Sequence, residues 1–357
     1  MKKIKSVIIG ILLIASILAV INPVSAATRE VGSGKTYATI GAAMAAAVDG
    51  DNILVYPGTY NEYVNITVRN ITLKSVAGRD STIIGPGTNN IVIRINKNLG
   101  LITVDGFTVL VSATSPTTGG NGIIQAFYEG PGTTCYILNN KIKSQTPPFK
   151  NAIQVIGENS KVIGNIVEGA SLEDPDWGGT GIFIMGPNMI IKDNYISNTD
   201  YGIGITEDTR IAPLLPSNTI VENNTIENCP VVGLYIRGNV TNSLIRYNTI
   251  WNNIKWGVLE RHNFNYYNTG SACNTILNYN TICNNGINIE VRNEGYDPNY
   301  IENCTLDARY NWWCTNAGPP GGSLIGAINY YPWEKRGDLP MKKFQAILNI
   351  KNINQDE

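Results

Sequence analysis

The chain of 357 residues contains 27 Lys and Arg residues against 28 Asp and Glu residues, and charged residues make up only 15 % of it. This nearly neutral composition excludes a nucleic-acid binder that depends on a basic surface to hold phosphates. The single histidine, His262, excludes any site that needs two imidazoles. The 45 Asn and 36 Gly residues are accompanied by 43 % hydrophobic residues, which are enough to build a core.

The first 26 residues have the pattern of a secretory signal peptide. Three lysines among the first five residues precede an apolar run over residues 7–21, and Val-Ser-Ala at 24–26 supplies the small-residue cleavage pattern. The alternative is a retained N-terminal anchor helix, but the run is short for a membrane span of about 20 residues. We therefore expect residues 1–26 to be removed, which leaves 24 of the 27 basic side chains against 28 acidic ones.

A short Ala-rich segment over residues 39–48 is the one helical pattern of the mature chain. Thr39 stands at its start and is a good N-cap residue. Because the rest of the chain has strand patterns, we expect this short helix to cover the open edge at the N-terminal end of the fold.

A short phrase recurs in the second half of the chain at intervals of 24 to 32 residues. It consists of an aliphatic residue, two further residues, Asn, one residue and a second aliphatic residue, and its last copy is the loosest. The Asn positions are Asn140, Asn165, Asn194, Asn224, Asn248, Asn280 and Asn311.

A second phrase, Gly-aliphatic-any-aliphatic, falls between the Asn positions. It starts at Gly181, Gly202, Gly233 and Gly286, with weaker copies at Gly122 and Gly257. The alternation indicates strands with one buried face. One coil of such strands cannot bury its apolar face but stacked coils can, so the repeat predicts a solenoid. Each Asn would lie over the next, hydrogen-bond along the column and accept the left-handed backbone of a sharp turn.

Residues 30–333 resemble the right-handed parallel β-helix superfamily, which includes pectate lyases and pectin methylesterases. The opening segments 32–40 (GSGKTYATI) and 53–62 (ILVYPGTYNE) are similar to the start of pectin methylesterases. Asn-Trp-Trp at 311–313, Gly-Pro at 318–319 and Tyr-Pro-Trp at 331–333 are similar to the closing turn of exported prokaryotic β-helix repeat proteins. The central Gln-Asp signature of the methylesterases is absent, which argues against esterase activity.

The resemblance and the repeat together predict an all-β fold with a short N-terminal capping helix. We expect a right-handed, single-stranded parallel β-helix over residues 27–333, with roughly ten coils at about 4.8 Å each. Residues 334–357 form a polar tail. The three predicted parts of the chain are therefore a signal peptide, one β-helix domain and the tail.

Four cysteines have matching offsets from the Asn positions of consecutive coils. Cys273 and Cys304 each lie seven residues before an Asn, and Cys283 and Cys314 each lie three residues after one. Coil spacing lies inside the Cα distance range of a disulfide, so we predict Cys273–Cys304 and Cys283–Cys314. The alternatives are buried free thiols or a zinc site. The two cysteines without a partner in register, predicted to be isolated core thiols, are Cys135 and Cys229.

Polar insertions follow the Gly strands at residues 206–217, 260–274 and 290–303. In a solenoid they emerge on one side and could wall a groove, which is where β-helix enzymes hold polysaccharide. An acidic loop at 173–177 precedes the Gly181 strand. The predicted substrate-binding residues are Tyr235, Tyr266, Tyr267, Arg292 and Trp177.

The fourth residue after the strand glycine should point outward, and in three consecutive coils it is Arg237, Arg261 and Glu290. The two arginines repel one another unless Glu290, Asp208 or a uronate carboxylate bridges them. Simple outward salt bridging is the alternative to a binding role. Glu260 occupies a position that is Ile in four other coils, and we expect a β-bulge to turn it outward.

The favoured function is an exported, surface-associated protein that contacts polysaccharide. The first alternative is a lyase or hydrolase acting on uronate-containing glycans. A lyase would use Arg237 or Arg261 as the base and Asp208, Glu260 and Glu290 to hold Ca²⁺. A glycosidase would pair Asp208 with Glu260 or Glu290 as its two carboxylates.

The second alternative is a structural envelope scaffold or an adhesin. In either case we expect a secreted or cell-surface monomer that contacts a polysaccharide or cell-surface glycan, with no membrane insertion of the mature chain and no nucleic acid. No cofactor is certain, and Ca²⁺ is the candidate. His262, in a polar segment, is predicted to be a bystander. Five sequons fit an exported glycoprotein: Asn65, Asn70, Asn223, Asn239 and Asn303.

Overall fold

The computed structural model describes residues 26–85, 91–112, 120–125, 133–146, 149–169, 179–207, 215–262, 274–293 and 305–335. The predicted signal peptide except Ala26, and the predicted tail beyond Lys335, lie outside the described residues. The predicted site and cystine residues that also lie outside them are Trp177, Asp208, Tyr266, Tyr267, Cys273 and Cys304. Within the described part of the chain, no helix is long and apolar enough to cross a membrane.

Three parallel sheets wind around one axis, and successive strands of the chain pass from one sheet to the next. Sheet A comprises β1 (Thr28–Val31), β2 (Asn52–Val55), β5 (Thr72–Ser75), β8 (Gly100–Asp105), β11 (Thr133–Leu138), β14 (Lys161–Ile163), β17 (Ile190–Lys192), β20 (Ile220–Glu222), β23 (Leu244–Arg246), β26 (Ile276–Asn278), β29 (Leu306–Asp307) and β31 (Ile328–Asn329). Sheet B comprises β3 (Gly58–Tyr60), β6 (Thr82–Ile84), β9 (Thr108–Ser112), β12 (Lys141–Thr146), β15 (Ile166–Glu168), β18 (Tyr195–Ser197), β21 (Thr225–Glu227), β24 (Thr249–Trp251) and β27 (Thr281–Cys283). Sheet C comprises β4 (Val64–Ile66), β7 (Ile91–Ile95), β10 (Gly120–Gln125), β13 (Phe149–Ile156), β16 (Thr180–Met185), β19 (Tyr201–Thr206), β22 (Val232–Arg237), β25 (Trp256–His262), β28 (Ile287–Asn293) and β30 (Leu324–Ile325).

This arrangement is a right-handed parallel β-helix, and the predicted fold class is confirmed. Alternate residues of each strand face the interior and stack on the equivalent residues of the neighbouring coils. Ile203, Leu234 and Val258 form one such column in sheet C, and none of the three is exposed. Each buried aliphatic side chain contributes roughly 1.5–3 kcal/mol. The interior is continuous from coil to coil, so every coil depends on its neighbours.

The seven predicted Asn residues form one buried column along the turn between sheets A and B, which confirms the predicted stacking. The Oδ1 of Asn224 accepts from the backbone N and from the Nδ2 of Asn194, at 3.0 and 2.9 Å. Its Nδ2 donates to the Ile191 carbonyl and to the Oδ1 of Asn248, both at 2.9 Å. The same pattern continues to Asn311. These amides therefore hold each coil in register with the next.

The left-handed backbone lies one residue earlier than predicted. All seven column Asn are among the described residues and none has a positive φ, whereas the residue before each of them does. We call these preceding residues, together with the equivalent Gly106, the turn column: Gly106, Asn139, Gly164, Asp193, Asn223, Tyr247, Tyr279 and Tyr310, with φ between 54 and 84°. The column Asn thus contributes its amide hydrogen bonds, and the residue before it adopts the left-handed turn conformation.

Three tyrosines occupy the last positions of the turn column, where the backbone disfavours them. A left-handed conformation costs roughly 1–2 kcal/mol in a residue other than Gly, Asn or Asp. The rings of Tyr247, Tyr279 and Tyr310 stack in two pairs, and each pair contributes about 0.5–1.5 kcal/mol. Stacking therefore offsets only part of the backbone cost.

The predicted capping helix is present as α1 (Ile40–Ala46) and is shorter than predicted. The Thr39 hydroxyl accepts from the Ala42 N–H, as an N-cap should. Glu62 adds a second cap, because its carboxylate accepts from the N–H groups of Ile40 and Gly41 at 2.8 Å. The helix packs against β1, β2 and β4 and so covers the first coil.

Cys283 and Cys314 form a disulfide with a Cα separation of 5.8 Å, as predicted. It joins two neighbouring coils near the C-terminal end of the solenoid. Cys135 and Cys229 are buried free thiols, also as predicted. Burial raises the pKa of both to about 12, so they are poorly reactive in the folded protein.

Replacing a column Asn by Asp should destabilise the protein strongly. In Asn224→Asp the new carboxylate oxygen would face the Ile191 carbonyl and the Asn248 Oδ1, where an N–H₂ group now donates. We expect the free energy of unfolding, measured by urea titration, to fall by about 3 kcal/mol or more. The matched control is Asn188→Asp at an exposed turn amide, expected to change it by less than about 1 kcal/mol. Equal effects of the two variants would contradict the interior role of the column.

Non-reducing peptide mapping of the purified protein should recover Cys283 linked to Cys314. The same map tests the Cys273–Cys304 pair, which stays a prediction. Cys135 and Cys229 should react with a thiol reagent only after unfolding, because both are buried. Labelling of either thiol in the native protein would contradict their burial.

Candidate functional site

The outer face of sheet C near the C-terminal end carries three arginines in one register column. Arg237 of β22 pairs with Arg261 of β25, and Arg261 pairs with Arg292 of β28. Neighbouring strands lie about 4.8 Å apart. The structure therefore brings the predicted Arg237 and Arg261 together and extends their column by Arg292.

The prediction that Glu290 belongs to this column is wrong. Glu290 pairs with Leu259, two positions away from the arginine register. The prediction took Gly286 as the strand glycine, but Gly286 precedes β28 and lies in the turn. The fourth residue after it is therefore two positions short of the arginine register. Asn288 occupies the place of Gly257 in the coil before it.

Glu290 is instead the centre of a polar cluster with Trp256 and Arg292. Its Oε2 accepts from the indole Nε1 of Trp256 at 2.6 Å, and its Oε1 accepts from the Nε and Nη2 of Arg292 at 2.7 Å. The guanidinium of Arg292 also lies 5.5 Å from the centre of the Trp256 ring. The Glu290 side chain is only 8 % exposed, whereas Arg292 is 39 % exposed. The cluster thus holds the Arg292 head group in a fixed, accessible position.

The structure adds Trp256 to the residues named from sequence. It stands directly before Gly257, in the same outward column as Tyr201 and Val232. Strict alternation from Val258 and Glu260 would place Trp256 on the inner face, so the strand pattern of the sequence contains no signal for it.

The predicted substrate-binding residue Tyr235 faces outward but is packed. Its ring centre lies 5.4 Å from that of Tyr201, and it belongs to an apolar cluster with Val232 and Leu259. Only 8 % of Tyr235 is exposed. It therefore supports Arg237, whose guanidinium lies 6.0 Å from its ring centre, and offers little surface of its own.

Glu260 faces the interior, and the predicted β-bulge does not occur. It pairs with Ile236 on one side and with Val291 on the other in an uninterrupted ladder. His262, two residues further on the same strand, is hydrogen-bonded through its Nε2 to the Oε1 of Glu260. Both side chains are almost fully buried. The glutamate thus keeps the strand register and is accommodated by an internal imidazole.

This placement corrects two predicted groupings. Glu260 and Glu290 lie on opposite faces of sheet C, so they cannot hold one Ca²⁺ ion together or act on one glycosidic bond. Glu290 also has both oxygens occupied by Trp256 and Arg292. In the described residues no three His, Cys, Asp or Glu side chains come together as metal ligands would. These residues therefore do not fit a calcium site, and Asp208 lies outside the described part of the chain.

Another buried carboxylate, Glu207, lies just beyond β19 and close to the arginine column. Its backbone N–H donates to the Arg237 carbonyl, and its Oε2 accepts from the Asn239 N–H at 2.7 Å. Only 3 % of the residue is exposed. It anchors the start of the first polar insertion rather than facing a ligand.

Comparison with known proteins shows the fold. No family model matches the chain, and no curated protein matches its sequence. Among solved structures, the pectate lyase Pel9A is 13 % identical with a TM-score of 0.52, covering 88 % of this chain and 80 % of that one. An alginate lyase from Paenibacillus sp. str. FPU-7 is 16 % identical with a TM-score of 0.52, covering 85 % of this chain and 99 % of that one. At these identities the likeness extends to the β-helix fold alone.

Hydrophobicity alone predicts that an aliphatic residue in place of Glu260 stabilises the protein. The internal pair of Glu260 with His262 predicts the opposite. Glu260→Ile restores the aliphatic column but removes the acceptor of a buried imidazole, so we expect the free energy of unfolding to fall by about 3 kcal/mol. The double variant Glu260→Ile/His262→Leu should recover most of that loss. Urea titration measures both.

The control for this pair is Glu222→Ile, which removes a carboxylate bound to Arg246 on the outer face of sheet A. Its effect should stay below about 1 kcal/mol, since partly exposed ion pairs contribute little. A Glu260→Ile variant that is more stable than the original protein would contradict the internal pairing.

Proposed function

We propose that this protein is a secreted or cell-surface β-helix protein that binds an acidic polysaccharide along the outer face of sheet C. The observation that carries the proposal is the register column of Arg237, Arg261 and Arg292. Because the three arginines share one register column, an anionic ligand lying along the solenoid axis can contact more than one guanidinium group. A guanidinium is also suited to a planar carboxylate, which it can bind with two parallel hydrogen bonds.

Uronate-containing glycans combine carboxylates with apolar sugar faces, and both have counterparts here. Arg292 presents an exposed guanidinium held by Glu290, and Trp256 places an indole beside it. The fold is shared with a pectate lyase and an alginate lyase, so pectate and alginate are the first ligands to test. Tyr266 and Tyr267, in the following polar insertion, remain proposed contacts.

Export is supported by two features of the chain. The N-terminal segment has the signal-peptide pattern, and Cys283 and Cys314 form a disulfide, which is typical of oxidising compartments. We propose that the mature protein is a monomer, so that the arginine column itself meets the glycan.

Binding without turnover is the better supported form of the proposal. Of the carboxylates predicted to be catalytic, Glu260 is internal and Glu290 is held by Trp256 and Arg292. The enzymatic alternative keeps Arg237 or Arg261 as the base of a uronate lyase and needs Asp208, with Ca²⁺ as its proposed ion. A scaffold or adhesin role is the alternative in which no glycan binds.

The central variant is Arg261→Gln, at the middle of the column. Affinity electrophoresis in gels containing polygalacturonate or alginate should show retardation of the original protein, weakened about tenfold by this change, because one charged hydrogen-bond donor group is lost. Added salt should weaken binding further. The matched control is Arg69→Gln, an exposed arginine of the first coils, which should bind as the original does.

The same incubations, with Ca²⁺ and with a chelator, should be followed for 4,5-unsaturated ends and reducing sugar. Release of either product, abolished by Arg261→Gln, would replace the binding proposal by the enzymatic one. Absence of retardation in both glycans, or equal retardation of the Arg261 and Arg69 variants, would overturn the proposal.

A further inference from the structure

The edge between sheets A and B carries a row of exposed aromatic rings that the arginine site does not involve. Tyr247 and Tyr279 stack with ring centres 5.7 Å apart, and Tyr279 and Tyr310 stack at 5.3 Å. Tyr247 is 41 % exposed and Tyr279 is 40 % exposed. We call these three residues the tyrosine row. Because the rings cover one another's faces, the row presents ring edges and phenol groups to solvent.

The tyrosine row is placed where the backbone does not favour it. The other five positions of the turn column are Gly, Asn or Asp, the residues that suit a positive φ, whereas the three tyrosines adopt φ of 58°. Their stacking offsets only part of this cost. Exposed side chains that persist against the local backbone preference are typical of functional surfaces.

The row carries little net charge, because each flanking arginine is paired. Arg246 donates to Glu222 at 3.1 and 3.0 Å, and its guanidinium lies 5.3 Å from the Tyr247 ring centre. Arg309 donates twice to Asp307 at 2.8 Å. These hydrogen bonds hold the pKa of Asp307 below its usual value, so this pair stays charged and mutually neutralised. A polyanion therefore gains little on this edge.

A groove continues the same edge toward the N-terminal end. It has a volume of about 650 Å³, and the turn-column residues Gly106, Asn139, Gly164 and Asp193 line it. Lys74 is paired with Asp105, another lining residue, at 2.9 Å. Arg79 reaches over the coils to donate to the Gly164 carbonyl at 2.9 Å. Groove and tyrosine row lie on one column of eight coils, about 34 Å long at the usual strand spacing.

We propose that this edge, from the groove to the tyrosine row, binds a neutral, hydroxyl-rich polysaccharide lying along the solenoid axis. Paired charges and phenol groups offer hydrogen bonds to sugar hydroxyls, and the ring edges offer apolar contact to the sugar rings. Successive coils then contact successive sugar units of the glycan. This site is separate from the arginine column in position, in charge and in the class of ligand that it takes.

The test is affinity electrophoresis of the full protein in gels that contain hydroxyethyl cellulose, a mixed-linkage β-glucan, dextran or polygalacturonate. At least one neutral glycan should retard the protein. Tyr279→Asn should weaken that binding about three- to tenfold, as expected for the loss of one aromatic contact. Asn suits the backbone at this position, so thermal unfolding should not occur earlier than in the original protein.

Three further variants sharpen the result. Asn223→Tyr places a fourth tyrosine next to Tyr247 in the turn column and should strengthen binding to the neutral glycan. Tyr136→Asn, on the outer face of sheet A away from this edge, is the matched control and should leave it unchanged. Arg261→Gln should leave neutral-glycan binding unchanged while weakening that of polygalacturonate.

The inference is overturned if no neutral glycan retards the protein, or if Tyr279→Asn and Tyr136→Asn bind equally well. Retardation by polygalacturonate alone also overturns it and leaves the acidic-glycan proposal standing. Conversely, if a neutral glycan retards the protein but polygalacturonate does not, only the function proposed for sheet C is overturned.

Discussion

The amide hydrogen bonds of the Asn column fix the position of each coil from Asn140 to Asn311 relative to the next. Each amide accepts from the coil before and donates to the carbonyl and amide around it, as Asn224 does between Asn194 and Asn248. These bonds form only when one Asn lies directly over another. Coil length can therefore vary between 24 and 32 residues without loss of register, because the extra residues are placed in other turns.

This constraint explains which predictions from sequence were right. Cys283 and Cys314 were located by counting three residues from a column Asn, and that count stays within sheet B and its immediate extension. Glu290 was located from Gly286, beyond the turn into sheet C. That turn varies: the strand glycine follows the column Asn by nine residues at Gly257 but by six at Gly286. The fold and the disulfide can be predicted by counting a few residues from a column Asn. The outward columns of sheet C cannot, because the turn before that sheet varies in length.

Glu260 shows a different kind of failure. Its place in the aliphatic column was correctly identified, and the cost of burying a carboxylate led to the prediction of a bulge. The missing information was that β25 extends to His262. Residues two apart on a strand face the same side, so once the strand is long enough the acid and the imidazole meet inside. The mistake lay in ending the strand too early, because His262 stands beside polar residues that predict a loop.

In a solenoid, the residues at one register position of successive coils form a row. Two rows of different chemistry lie on the C-terminal coils of this protein. Arg237, Arg261 and Arg292 face out from sheet C, and the tyrosine row lies on the edge between sheets A and B. A ligand along the axis meets equivalent atoms only while the coils keep their separation. The column amides fix that separation in these coils. The Cys283–Cys314 disulfide adds a covalent link between the coils that carry Tyr279 and Tyr310. The fixed coil separation and the proposed ligand contacts therefore depend on the same turns between sheets A and B.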